Sequence, residues 1–283
     1  MRRIFQLSVL CLAAGVVAAC APEKVIQTDT PLTAGVRFLN VVPDTAGAFG
    51  MDFRPVDIVE NSTFYAVGFR STTLFFYKNA LPGLRHFKVF LDDSLAAVAS
   101  TVMADTTINL EAGKRYTFIL WGFSRAGQSP AMKLDVITDD PADPGTQIAL
   151  RTINACLPGI CGGAANGVVD VRQYPSAGPV PGPATWGAVP VMSFSSYVQT
   201  APGGIKYNVT PAGGGAALFT DPTALAGVAG TVDITAIPGT TVAGSAVTGI
   251  VVPRSVAGSK ATSITTPGMI FVWDRRPPYL PTQ

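Results

Sequence analysis

A chain of 283 residues with a single histidine has few ways to move a proton near neutral pH. That histidine, His86, lies beside Phe87 in an alternating segment, where an imidazole serves at a strand edge or surface. Serines are plentiful, but none stands in a Gly-x-Ser-x-Gly turn, and a serine nucleophile would need His86 as its base. Asp92-Asp93 and Asp139-Asp140 fall in turns, where carboxylates stay hydrated; glycoside hydrolysis needs a pair facing each other across a cleft. The acids at Asp139, Asp140 and Asp143 lack the regular alternate spacing of a calcium loop. Gly213-Gly214-Gly215 lacks the lysine that completes a phosphate-binding loop. The expectation is a non-enzyme with no catalytic residue, no cofactor and no metal.

The cysteines carry more. Cys156 and Cys161 lie five residues apart in a glycine-rich stretch, and an even pair in an oxidising compartment reads as a local disulfide. Cys20 closes a different pattern. Arg2 and Arg3 precede an uncharged run from Ile4 to Ala19, which ends in Val17-Ala18-Ala19-Cys20. The run has the length of a signal-peptide core and is short for a spanning helix. Aliphatic, small, small, cysteine matches the bacterial lipobox, in which the thiol takes a diacylglycerol and the freed amine a third chain. Each buried methylene contributes about 0.8 kcal/mol, so two or three chains anchor stably where one does not. The alternative is a secreted protein in which Cys20 is incidental. Ala21, which is not aspartate, favours the outer membrane or cell surface over the inner membrane by analogy with the bacterial sorting rule.

Removing residues 1–19 takes away two arginines and no acid, leaving 18 basic against 18 acidic residues and a net charge of zero. That excludes the basic footprint of a nucleic-acid binder. A charged fraction of 13%, with 29 glycines and 23 prolines, is the composition of a turn-rich all-β exported protein. The predicted organisation is a signal peptide over 1–19, a lipidated Cys20 and tether over 20–35, a first β-sandwich over 36–139 and a linker over 140–147. A second sandwich over 148–274 and a tail over 275–283 complete it.

Within the first sandwich, Val36–Val42 reads as a strand with Arg37 and Asn40 at an edge or in solvent. Further strands are expected at Met51–Arg54, Leu84–Leu91, Ala96–Met103, Thr106–Leu110, Arg115–Gly122 and Met132–Ile137. In the second, strands are expected at Ala188–Phe194, Lys206–Thr210, Thr231–Ile237, Thr248–Val252 and Met269–Trp273. The opening pattern returns: Arg37-Phe38-Leu39-Asn40 is echoed by Arg151-Thr152-Ile153-Asn154, and Asp52-Phe53-Arg54 by Asp170-Val171-Arg172. The interval from arginine to aspartate is 15 residues in the first set and 19 in the second, the extra residues falling around Cys156 and Cys161. Pro82-Gly83 and Pro202-Gly203 give a third echo, so duplication is expected. The repeated arginine and aspartate predict an ion pair between the first two strands of each copy.

These residues, together with Pro43-Asp44 and Ala112-Gly113 before Tyr116-Thr117, resemble the bacterial domain of unknown function 4397. The resemblance implies an immunoglobulin-like sandwich, tandem copies and an exported or lipid-anchored context. It carries over no catalytic or binding residue. The functional expectation is a lipid-anchored envelope protein, held to the membrane by its N-terminal lipid, with a structural or adhesive role and an envelope protein or glycan as partner. The alternative is a surface carbohydrate- or peptide-binding module using Phe64-Tyr65, Phe75-Phe76-Tyr77 or Trp121 and Phe123.

Overall fold

The computed structural model describes residues 32–45, 50–71, 76–231, 234–261 and 263–277. Cys20, the signal segment, Phe75 and the end of the tail lie outside them. Apart from one four-residue helix, α1 (Ala96–Ala99), the regular elements among the described residues are strands. The chain is all-β and folds as two β-sandwiches.

The first sandwich contains β1 (Ala34–Asn40), β2 (Gly50–Pro55), β3 (Phe64–Val67), β4 (Lys78–Ala80), β5 (Gly83–Asp92), β6 (Val102–Leu110), β7 (Arg115–Trp121) and β8 (Lys133–Thr138). They form two sheets, in the orders β4-β1-β7-β8 and β3-β2-β5-β6. Phe38 and Phe118 from one sheet meet Phe53 and Phe87 from the other, with the Phe38 and Phe53 rings stacked at 4.9 Å. Such a pair adds about 0.5–1.5 kcal/mol to simple burial.

The second sandwich contains β9 (Ile148–Asn154), β10 (Val169–Pro175), β11 (Trp186–Val189), β12 (Ser193–Phe194), β13 (Val198–Thr200), β14 (Ile205–Pro211), β15 (Ala246–Val252) and β16 (Gly268–Arg275). One sheet runs β12-β9-β15-β16, with β13 also on β9, and the other β11-β10-β14. Trp186, Tyr207 and Phe271 fill the space between them.

Three expected strands differ. Ala96–Met103 begins instead as α1, because Asp93 accepts the Leu95 N–H and an alanine-rich turn follows; β6 starts only at Val102. Ala188–Phe194 splits between the two sheets of its sandwich. The chain turns through Met192 at φ 53° and passes from β11 to β12. Over Thr231–Ile237 no named strand forms among the described residues; an isolated bridge joins Val228 and Ile237, and the Thr231 N–H donates to the Ile234 carbonyl.

The two central strands of each inner sheet are parallel: Arg37 stands beside Thr117 on β1 and β7, and Arg151 beside Thr248 on β9 and β15. Side chains alternate across a strand. Val36 and Phe38 therefore enter the first core, while Arg37, Leu39 and Val41 face outward. Outward here means towards the second sandwich. Leu39, Val41, Ile119, Trp121 and Ile137 pack against Ile153, Ala155, Ile250, Val252 and Val272 in one buried cluster. Strands covered on both faces read as continuous apolar runs, which is how Arg115–Gly122 reads.

Candidate functional site

The seam between the sandwiches holds the densest group of ionisable side chains in the described protein. Arg37, Asp139 and Asp274 have fully buried side chains, and Arg151 is 2% exposed. Each arginine comes from the first strand of its sandwich. Each aspartate lies at the end of the strand that flanks β7 or β15: Asp139 just after β8, and Asp274 near the end of β16.

The ion pairs cross. Arg37 Nη2 lies 2.7 Å from Asp274 of the second sandwich and 3.4 Å from Asp139 of its own. Arg151 Nη2 lies 2.6 Å from Asp139 of the first sandwich and 3.3 Å from Asp274 of its own. The shorter contact of each arginine therefore reaches the other sandwich. Two positive and two negative charges leave the cluster neutral.

Hydroxyls complete it symmetrically. Thr117 accepts from Arg37 Nε at 3.0 Å and donates to Asp139. Thr248 accepts from Arg151 Nε at 3.0 Å and donates to Asp274. The Tyr77 hydroxyl donates to Asp139 at 2.8 Å, and the Tyr197 hydroxyl to Asp274 at 2.8 Å. The guanidinium carbons stand over the same rings, Arg37 at 4.4 Å from Tyr77 and Arg151 at 4.6 Å from Tyr197. Arg37 Nη1 also donates to the Trp273 carbonyl at 2.9 Å.

Burial alone would lower the Arg37 pKa, but Tyr77, Asp139 and Asp274 outweigh it and hold it above its ordinary value. Arg151 behaves alike, with Asp274 and Asp139 opposing its burial. Burial pushes the Asp274 carboxyl up, yet Arg151, Arg37 and the Thr248 hydroxyl bring it below the usual carboxylate range. Both tyrosines are raised, first by burial and then by the neighbouring aspartates. Arg37, Arg151 and Asp274 are thus kept ionised away from water.

A buried ion pair adds little net stability over apolar residues of the same shape, but removing one partner costs about 3–5 kcal/mol. The cluster therefore fixes orientation: any rotation of one sandwich on the other leaves buried charges unpaired. Catalysis is a poor use for carboxylates that each accept several hydrogen bonds and meet no solvent.

Three sequence expectations are corrected by this geometry. Arg37 and Asn40 are buried rather than at an edge or in solvent, because the outer face of β1 is covered. Asp139 is not a hydrated turn residue. The arginine does not pair with the aspartate of the second strand either, since β1 and β2 belong to different sheets.

The repeated aspartate has another task. Asp52 accepts the Ala66 N–H at 2.9 Å, and Asp170 the Ala188 N–H at 2.7 Å. Ala66 and Ala188 have φ of 52° and 46°, a left-handed conformation that alanine adopts at a cost. Both face irregular pairing on the adjacent strand, so each aspartate holds a bulge. Asp52 does meet Arg54 at 2.5 Å, whereas Arg172 turns to Thr210 and the Gly182 carbonyl. The repeated asparagine likewise ties the end of the first strand across its sandwich, Asn40 to the Val67 carbonyl and Asn154 to that of Val189, each at 2.9 Å.

Cys156 and Cys161 are disulfide-bonded, with Cα atoms 5.5 Å apart. Between them Leu157 and Ile160 pack on Phe123 of the first sandwich, so the loop that lengthens the second opening motif extends the seam. His86 lies on the outer sheet, its Nε2 2.6 Å from Asp105, which also meets Lys88 at 3.2 Å. The aromatic runs divide: Phe64 is core, Trp121 and Phe123 are in the seam, Tyr77 is in the charge cluster, and Tyr65 and Phe76 are exposed. Among the described residues no three His, Cys, Asp or Glu side chains gather as a metal site. Among them, too, no helix is long and apolar enough to cross a membrane.

Residues 34–158 match the model of a domain of unknown function, DUF4397. The DUF4397 match covers the first sandwich and runs through β9 into the disulfide loop. A search of curated proteins returns no match. Among solved structures the chain is similar to the Bacillus anthracis TIE protein, at 11% identity and a TM-score of 0.24. That alignment covers 80% of this chain and 34% of the other, so this chain spans about a third of that protein's length.

Proposed function

We propose that the chain is a non-enzymatic, lipid-anchored protein of the cell envelope, in which tandem DUF4397-type domains form one stiff body with a structural or adhesive role. The observation that carries this reading is the crossed ion pairing of Arg37 with Asp274 and Arg151 with Asp139. A seam that penalises rotation suits a spacer that must hold a surface at a fixed orientation. The tandem reading is supported by the matched positions of Arg37 and Arg151, Thr117 and Thr248, Asp139 and Asp274, and Tyr77 and Tyr197 around that seam.

The anchor rests on Val17-Ala18-Ala19-Cys20 after a basic start and an apolar run. With the lipid in the outer membrane or cell surface, the segment after Cys20 links the body to it, and its partner is an envelope protein or glycan. The non-enzymatic reading is supported by the use to which the buried carboxylates are put.

The test is fractionation of cells expressing the wild type and Cys20→Ala. The wild type is expected in the membrane fraction and to incorporate a labelled fatty acid; the variant is expected in the soluble fraction without label. A variant that stays with the membrane would sink the anchor.

A further inference from the structure

At one end of the seam an open pocket of about 480 Å³ is built from both sandwiches. Phe76, Tyr77 and Arg115 come from the first sandwich, and Trp273 and Arg276 from the second. The Trp273 and Tyr77 rings meet edge-on at 5.5 Å. The Arg276 guanidinium lies 5.0 Å over Trp273, and that of Arg115 5.5 Å over Tyr77. Arg115 is steadied by donating to the Asp274 carbonyl at 2.8 Å. Lys114 also lines the pocket, but its charge is shared with Glu111 at 2.9 Å. No carboxylate lines the pocket.

We infer that this pocket binds a carboxylated sugar, the class to which the hexuronic acids belong. The volume is that of an ordinary small-ligand site. Planar guanidinium groups match a carboxylate with two parallel hydrogen bonds. The exposed Phe76 ring offers a flat apolar face to the C–H face of a pyranose. A neutral sugar leaves the cations unused, and an inorganic anion leaves the ring unused, whereas a sugar acid uses both. Because the lining comes from both sandwiches, the pocket exists only while the seam is closed. The inference does not require the lipid anchor and goes beyond the structural role.

The test uses protein starting at Ala21, titrated by calorimetry or NMR with digalacturonate, glucose and inorganic phosphate. Digalacturonate is expected to saturate, with glucose and phosphate each at least tenfold weaker. Arg276→Ala removes an exposed side chain, so the fold persists, checked by an unchanged melting temperature, and affinity for digalacturonate falls about tenfold. Lys88→Ala, on the far outer sheet, leaves it unchanged. Phosphate binding as tightly as digalacturonate, glucose binding as tightly, no saturation, or an unaltered Arg276→Ala protein would each overturn the assignment.

Discussion

Replacing Asp274 by asparagine keeps the shape of the side chain and removes one of the two negative charges between the sandwiches. In the wild type that carboxylate accepts from Arg37 at 2.7 Å, Arg151 at 3.3 Å, Tyr197 at 2.8 Å and Thr248. Two arginines would then face Asp139 alone, and a net positive charge would remain buried. Removing one partner of a buried pair costs about 3–5 kcal/mol. At a urea dependence of about 2–3 kcal/mol per molar, the unfolding midpoint should fall by about 1–2 M. Fluorescence and circular dichroism of protein starting at Ala21 would measure it. Arg151→Met combined with Asp274→Asn restores neutrality, so the double variant should lose less than the sum of the singles, with a coupling of about 1–2 kcal/mol. A shift worth under about 1 kcal/mol for Asp274→Asn, or strict additivity in the double, would refute the reasoning.

The remaining predictions follow from the same contacts. The folded pKa of Asp274 lies below its unfolded value, so the unfolded chain binds the extra proton, and its contribution should be lost as pH falls below about 4. Tyr77 and Tyr197 are raised; their contribution holds below about pH 10 and should fall as pH rises beyond it, where only the unfolded phenols ionise. Melting temperature against pH should therefore drop at both ends, and Asp274→Asn should flatten the acid limb. Gly122 has φ +91°, and a Cβ there would sit 2.5 Å from the Ala131 carbonyl oxygen. Gly122→Ala should lower stability by about 1–3 kcal/mol in the same urea assay.

The fold was largely legible because most strands alternate between turn residues. Arg115–Trp121 and Ile148–Asn154 carried a further signal that alternation alone does not explain: apolar residues on both faces. That pattern means burial on both sides, and here it marks the seam. The charged site was half visible. Arg37 and Arg151 stand out by repetition, but their partners lie at Asp139 and Asp274, about 100 and 240 residues beyond Arg37 along the chain, and the shorter pairs cross between the sandwiches. Position in a local motif points to Asp52 and Asp170, whose task is to cap alanines in a left-handed conformation. The sharper clue was an aspartate at the end of the last strand of each sandwich, Asp139 just after β8 and Asp274 near the end of β16. The pocket beside Trp273 could not be read at all, since its lining is assembled only when the sandwiches meet.

The central claim, that the seam locks the sandwiches into one body, is tested most directly by a distance between them. Nitroxide labels on cysteines placed at the exposed Val59 and Val228, in protein starting at Ala21, report that distance by pulsed electron paramagnetic resonance. The account predicts one narrow distribution in the wild type that broadens in Asp274→Asn. A broad or multiple distribution in the wild type, as two sandwiches joined by a free linker would give, would contradict it.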